Sequence, residues 1–319
     1  MLSGAPTRPI DDEPAFGTYV GRCTDTELRL DARGVGRLRR TFSEKRWQWF
    51  SAFDESIAVG GAIVDAGIFG TAFLWVFDRE RASLVVDADV TVPSRLVAVS
   101  TQPANGVVAS VSLPRRRLRV TRTNDALSVD GRFAGTDVSL VFDTAGRHEL
   151  TAICPVENRT AGVNVTQKET CIPVRGTVDS RRISRRLDGV GMLDYSHGLL
   201  ARETTWKWAI GSCTAADGAT VGFNVVDGFN DALENAVWID GEPRSVDAAT
   251  FSVSAGQWHV RTDCGTVDVT LDVEGRRSEN IDIGVIASRY DQPLGRWSGT
   301  VSEYDIDGVG VAEEHLARW

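Results

Sequence analysis

The feature that most limits what this chain can fold into is its punctuation. Short runs rich in Val, Thr, Ile and aromatic residues are separated by the dipeptides Asn105-Gly106, Asp130-Gly131, Asp217-Gly218, Asp240-Gly241 and Asp307-Gly308. Asn-Gly and Asp-Gly supply positive φ at little cost, so they favour tight hairpins. The spacing predicts antiparallel β structure through most of the chain. Alternation supports it. Apolar and charged residues interleave from Ala82 to Val92, and Val267, Val269, Leu271 and Val273 fall on one face of a strand. The apolar stretch from Ile57 to Phe77 is broken by Asp65, Gly60, Gly61, Gly67 and Gly70, which suits buried strands and not a membrane-spanning helix. Helical periodicity is best at Ser43 to Phe53 and in a final turn near Ala312 to Ala317, the first in competition with a strand reading of Trp47 and Trp49.

Charge and motif content exclude several functions. The 319 residues carry 35 Lys+Arg against 44 Asp+Glu, a net charge of −9. Such a surface repels nucleic acid and anionic lipid, so neither is an expected partner, and no integral membrane segment is predicted. The polar, acidic start from Met1 to Pro14 lacks the pattern of a secretory signal, which predicts a cytoplasmic protein in which the sequons at Asn158 and Asn164 have no role. Five scattered cysteines, Cys23, Cys154, Cys171, Cys213 and Cys264, show no CxxC pair and read as buried free thiols. Histidines at 148, 197, 259 and 315 have no compact metal spacing, so no metal is expected. Gly34-Val35-Gly36 lacks the context of a dinucleotide fingerprint, and no GxxxxGK[ST] or GxSxG occurs; no cofactor is predicted. The basic runs Arg115 to Arg117 and Arg181 to Arg186 read as solvated loops or local ion-pair patches.

The chain repeats loosely. Trp47-x-Trp49 and Trp206-x-Trp208 each put two indoles on one side of a strand, whether for core packing or for ligand contact. The polar stretch from Arg175 to Arg186 reads as a boundary, which predicts domains at 15–175 and 176–319.

Longer motifs lie in the second half. The run Gly191-Met192-Leu193-Asp194-Tyr195-Ser196-His197-Gly198 is followed by Thr204-Thr205-Trp206-Lys207-Trp208-Ala209, Gly222-Phe223-Asn224 and Glu234-Asn235. Lys45-Arg46-Trp47, Asn164-x-Thr166-x-Lys168, Gly295-Arg296-Trp297-Ser298-Gly299 and the ending Glu313-Glu314-His315-Leu316-Ala317-Arg318-Trp319 complete the set. In order and spacing these fragments resemble the bacterial domain of unknown function 2804 family across most of the chain. More distantly, the chain is similar to the lipocalin-like superfamily of carotenoid 1,2-hydratases and AttH proteins, in which an Asp-His-x-x-Gly-type segment precedes a Trp-x-Trp pair. Here Tyr195 and Ser196 separate Asp194 from His197. The resemblance implies an all-β fold of two tandem lipocalin-like, calycin-type antiparallel β-barrel domains with a cleft at or between them. It also implies cofactor-free hydratase or cyclase chemistry on apolar olefins.

Such chemistry begins with protonation of carbon, which needs a carboxylic acid kept protonated by apolar surroundings. Asp194, beside Met192 and Leu193, is the predicted general acid. Trp206 and Trp208 would stabilise the cation through their indole faces. His197 would orient the acid or accept a proton, and it shares a site with Asp194 only if a bulge or turn intervenes near Ser196 or Gly198. A structural role is the alternative for each. Trp47, Trp49, Tyr195, Asn224, Glu234 and Asn235 are the further substrate-binding candidates. Glu203 is another carboxylate to weigh, while Lys168 and Lys207 read more naturally as outward-facing strand lysines. The expected function is a cofactor-independent hydratase, isomerase or cyclase for a hydrophobic isoprenoid-like or polyketide-like molecule; the alternative is a non-catalytic carrier of a lipid or pigment.

Overall fold

The computed structural model describes residues 2–10, 13–28, 36–156, 162–254, 256–282 and 287–318; Gly34, Val35 and Asn158 fall outside them. Among the described residues it is nearly all β, with one short α-helix, Arg37–Ser43. Eleven strands frame the region where two sheets meet: β1 (Glu44–Phe53), β2 (Ile57–Asp65), β3 (Phe69–Asp78), β4 (Ser83–Pro93), β5 (Val163–Asp179), β6 (Ser184–Leu199), β7 (Glu203–Thr214), β8 (Thr220–Asp227), β9 (Val267–Asp282), β10 (Ala287–Val301) and β11 (Tyr304–Arg318). The first sheet runs β4-β3-β2-β1-β6-β5 and continues through five shorter strands between Val97 and Asp143, curling into a nearly closed barrel. The second, a half-barrel, has β8-β7-β11-β10-β9 at its centre. Both are antiparallel along these paths, and the calycin-type expectation is met.

Strict alternation on β3 explains why its stretch is apolar throughout. Ala72, Leu74 and Val76 point into the barrel core, while Phe73, Trp75 and Phe77 point outward and are covered by the second sheet. A strand buried on both faces needs apolar residues at every position. The second sheet mirrors this: Phe223, Trp258 and Trp297 fill its own concave side, and Trp208, Ile210, Leu294 and Val311 meet the barrel wall. Burying each large aromatic contributes roughly 2–3 kcal/mol, so the intersheet layer is a true core.

Several sequence expectations are corrected. Ser43 closes the short helix but 44–53 is strand β1, and 312–317 lies within β11. The Arg175–Arg186 stretch is a hairpin between β5 and β6 inside the first sheet; the chain changes sheet at 200–202, later than the polar composition indicates. Asp217-Gly218 and Asp240-Gly241 do form turns. Asp130-Gly131 and Asp307-Gly308 instead lie inside strands. There glycine is needed for space: a Cβ on Gly131 would sit 2.2 Å from the Arg117 carbonyl oxygen. Four cysteines are buried as expected, whereas Cys264 is exposed. The two arginine runs meet at one rim of the barrel, where Arg115, Arg181 and Arg182 line a polar groove.

Candidate functional site

Register brings the Trp-x-Trp pairs face to face. On the barrel wall, Asp194 of β6 is directly opposite Trp49 of β1 and Lys168 of β5, and Ser196 is opposite Trp47 and Thr166. These side chains share one face. On the second sheet, Trp208 and Trp206 of β7 are opposite Glu313 and His315 of β11, and His315 is opposite Tyr290 of β10. The two ladders enclose a cavity of about 460 Å³ with predominantly apolar walls, opening toward the partly exposed Ile68 and Ile281. Trp49 meets Trp208 edge-on across the gap, ring centroids 5.0 Å apart.

One polar cluster centres on Asp194. Its Oδ2 accepts the Trp47 indole N–H at 3.0 Å, and its Oδ1 lies 2.9 Å from Lys168 Nζ. Lys168 also reaches Glu234 Oε2 at 3.3 Å and sits 5.1 Å from the Trp208 ring centroid. Burial works against the Lys168 ammonium, but the two carboxylates outweigh it and hold the amine above its ordinary value. Burial raises Glu234, with Lys168 opposing. The lysine that reads as outward-facing is thus almost fully enclosed, since only a buried cation can offset two buried carboxyl groups.

A second cluster centres on Glu313, which sequence reasoning placed only in the terminal motif. Its oxygens accept hydrogen bonds from Trp206 Nε1 and Gln292 Nε2, each at 2.9 Å. Burial pushes this carboxyl up to about 7, against the donors Trp206, Gln292 and Tyr290, which favour its anion. His315 is held neutral by burial, at about 3, with Nε2 3.0 Å from Ser288 Oγ and its ring 4.4 Å from that of Trp206. Arg277 also lines the cavity, paired with Asp87 and Glu279 and stacked 4.2 Å over Phe73.

The other expected residues divide. Trp47, Trp49, Trp206, Trp208, Asp194 and Glu234 line the cavity. His197 does not: β6 is regular from Asp194 to Leu199, so at an offset of three positions the two side chains take opposite faces. His197 instead bridges Glu44 Oε1, at 2.9 Å, and Thr26 Oγ1, at 3.1 Å, on the barrel side. Burial would raise Glu44, but His197 and Arg40 hold it below the usual carboxylate range. Tyr195 shares the barrel face and donates to the Ser100 carbonyl at 2.7 Å. Asn224 accepts from Trp208 Nε1 at 2.7 Å and fixes that indole from behind, while Asn235 accepts the Val226 backbone N–H. Glu203 is exposed, and Lys207 lies 3.7 Å from Glu314. Among the described residues no three His, Cys, Asp or Glu side chains form a group able to hold a metal, and no helix is long and apolar enough to cross a membrane.

Known proteins resemble this architecture. A family model described as a domain of unknown function, DUF2804, matches residues 15–319. A protein from Nitrosomonas europaea described as an AttH aligns with TM-score 0.53 at 11% identity, over 91% of this chain and 96% of the other. Kievitone hydratase from Nectria haematococca gives 0.53 at 11%, over 94% and 97%, and CghA gives 0.53 at 12%, over 86% and 88%. At these identities the likeness establishes a shared fold. No curated protein matches the sequence.

Proposed function

Because the chain belongs to the DUF2804 family, whose description carries no activity, we propose a function from its own cavity: cofactor-independent acid catalysis on a hydrophobic olefinic small molecule, as a hydratase, isomerase or cyclase. One observation carries the reading. Glu313 is a buried carboxyl poised near 7 on an indole-rich wall. An acid of that strength is partly protonated at neutral pH and works without a cofactor.

Glu313 replaces Asp194 as the proposed proton donor. Asp194 accepts from Trp47 and faces the Lys168 ammonium, so both its oxygens are already engaged, in an ion pair suited to anchoring polar parts of a ligand. The Glu313 O–H delivers its proton to one alkene carbon; the π pair forms the new C–H bond and leaves a cation on the neighbouring carbon. The faces of Trp206, Trp208 and Trp49 stabilise that cation, and closure between the sheets limits stray solvent. Addition of water returns a proton to the Glu313 carboxylate and completes hydration. Loss of a neighbouring C–H proton to the Glu313 carboxylate gives an isomer; attack by a second alkene closes a ring and moves the cation to a new carbon, where proton loss to the same carboxylate ends the reaction. The hydratase name carried by one structural neighbour agrees with this class of reaction.

The test is carbon protonation itself. The protein is incubated in D₂O with olefinic alcohols such as geraniol and farnesol, and deuterium at carbon is read by mass spectrometry. Glu313→Gln keeps the shape and is expected to reduce incorporation at least about 100-fold, with ligand affinity changed only a few-fold. Undiminished incorporation by that variant removes Glu313 from the mechanism. A carrier would show no incorporation in either protein.

A further inference from the structure

The same cavity carries information about the charge of its ligand. Four carboxyl side chains line it, Asp194, Glu234, Glu279 and Glu313, against two cations, Lys168 and Arg277. Neither cation is free. Lys168 is shared by Asp194 and Glu234, and Arg277 is held by Asp87 at 3.1 Å and Glu279 at 3.0 Å, with the lysine and arginine side chains only 4% and 3% exposed. A ligand carboxylate would enter a low-dielectric space with surplus negative groups and no unclaimed partner, so its desolvation would go uncompensated.

One further group points to what the cavity does accept. Trp49 on the barrel wall lines it, and the Trp49 indole N–H is buried without a hydrogen-bond partner, whereas the Tyr290 hydroxyl on the opposing sheet is turned to Glu313. A buried donor left unmatched is destabilising, because it has given up water without a replacement partner. A ligand oxygen held between the sheets would relieve that cost, whereas a pure hydrocarbon would not. The volume is that of a drug-sized guest.

We propose that this cavity selects uncharged apolar molecules bearing a hydroxyl or carbonyl oxygen and rejects carboxylates of the same skeleton, with Trp49 as a specificity-determining donor. The proposal rests on the acid-catalysis reading only for the cavity's role as a substrate site, and it concerns binding alone.

The experiment measures displacement of the neutral dye Nile red from the full chain at pH 8, where carboxylic acids are ionised. The probes are geraniol, geranic acid and the hydrocarbon 2,6-dimethylocta-2,6-diene, with the corresponding farnesyl series beside them. In at least one series the alcohol is expected to bind tightest and the carboxylate at least tenfold more weakly. Trp49→Phe, which keeps a ring and removes the N–H, is expected to lower the alcohol's affinity several-fold toward that of the hydrocarbon, whose own affinity stays unchanged. A carboxylate that binds as well as its alcohol overturns the proposal, as does a Trp49→Phe loss shared equally by alcohol and hydrocarbon. Failure of every alcohol to bind overturns it too. Because no turnover is measured, a protein that selects alcohols yet never labels carbon in D₂O keeps this proposal and loses the catalytic one.

Discussion

Glu313 differs from the other carboxyl groups of the cavity in that its donors Trp206, Gln292 and Tyr290 are neutral, where Asp194 and Glu234 share an ammonium. The consequence is a stability that depends on pH. The folded value of about 7 lies above the ordinary 4.5, so between those pH values the folded chain keeps a proton that the unfolded chain releases. The contribution is fully present below about 4.5 and is lost as pH rises through 7. In Glu313→Gln that dependence disappears. Relative to wild type, the variant is expected to gain up to about 3 kcal/mol between pH 4.5 and pH 8, as read by urea unfolding at both pH values. Parallel pH profiles for the two proteins would show that the carboxyl is not perturbed. The same titration sets the rate: proton donation is expected to fall about tenfold per pH unit above 7, measured as initial rate of deuterium incorporation.

Strand β6 illustrates how one element serves two purposes. Its odd and even positions divide Asp194, facing the cavity, from Tyr195 and His197, which tie the barrel face to Thr26 and Glu44. His197→Ala is therefore expected to cost about 1–3 kcal/mol by leaving buried partners unmatched, with Nile red affinity unchanged. A variant of full stability that no longer binds the dye would place His197 at the ligand. Such division was only half legible in the sequence. The i, i+2 spacing of the tryptophans and the i, i+3 spacing of Asp194 and His197 fix their faces through strand geometry, so those faces were readable. Lys168 and Glu313 were not, because their burial depends on cross-strand neighbours far away in the chain: Asp194 lies opposite Lys168, and Trp208 opposite Glu313. The Glu-rich, Ala-containing end of β11 has local helical character that pairing with β7 and β10 overrides. Asp130-Gly131 misled for a related reason, since a glycine chosen for close strand approach looks the same as one chosen for a turn.

At the scale of the molecule, the site exists only because two sheets share a core. Trp75 and Phe77 of β3 enter it from the barrel, and two glycines make room for them: a Cβ on Gly60 would meet Trp75 at 2.3 Å, and one on Gly275 of the other sheet would meet Phe77 at 2.3 Å. Arg79 and Glu274 join the sheets nearby through two hydrogen bonds of 2.8 and 2.7 Å. An apolar layer of this kind resembles a domain interior more than the polar contacts that allow domains to move independently. The two sheets are therefore expected to unfold in one calorimetric transition whose calorimetric and van't Hoff enthalpies agree. Gly275→Val drives a wedge into the layer, and its expected effect is a loss of about 1–3 kcal/mol that shifts the single transition without splitting it. Two separated transitions in the wild-type protein would mean that the sheets are independent, and the cavity between them would then have to be assembled by its ligand.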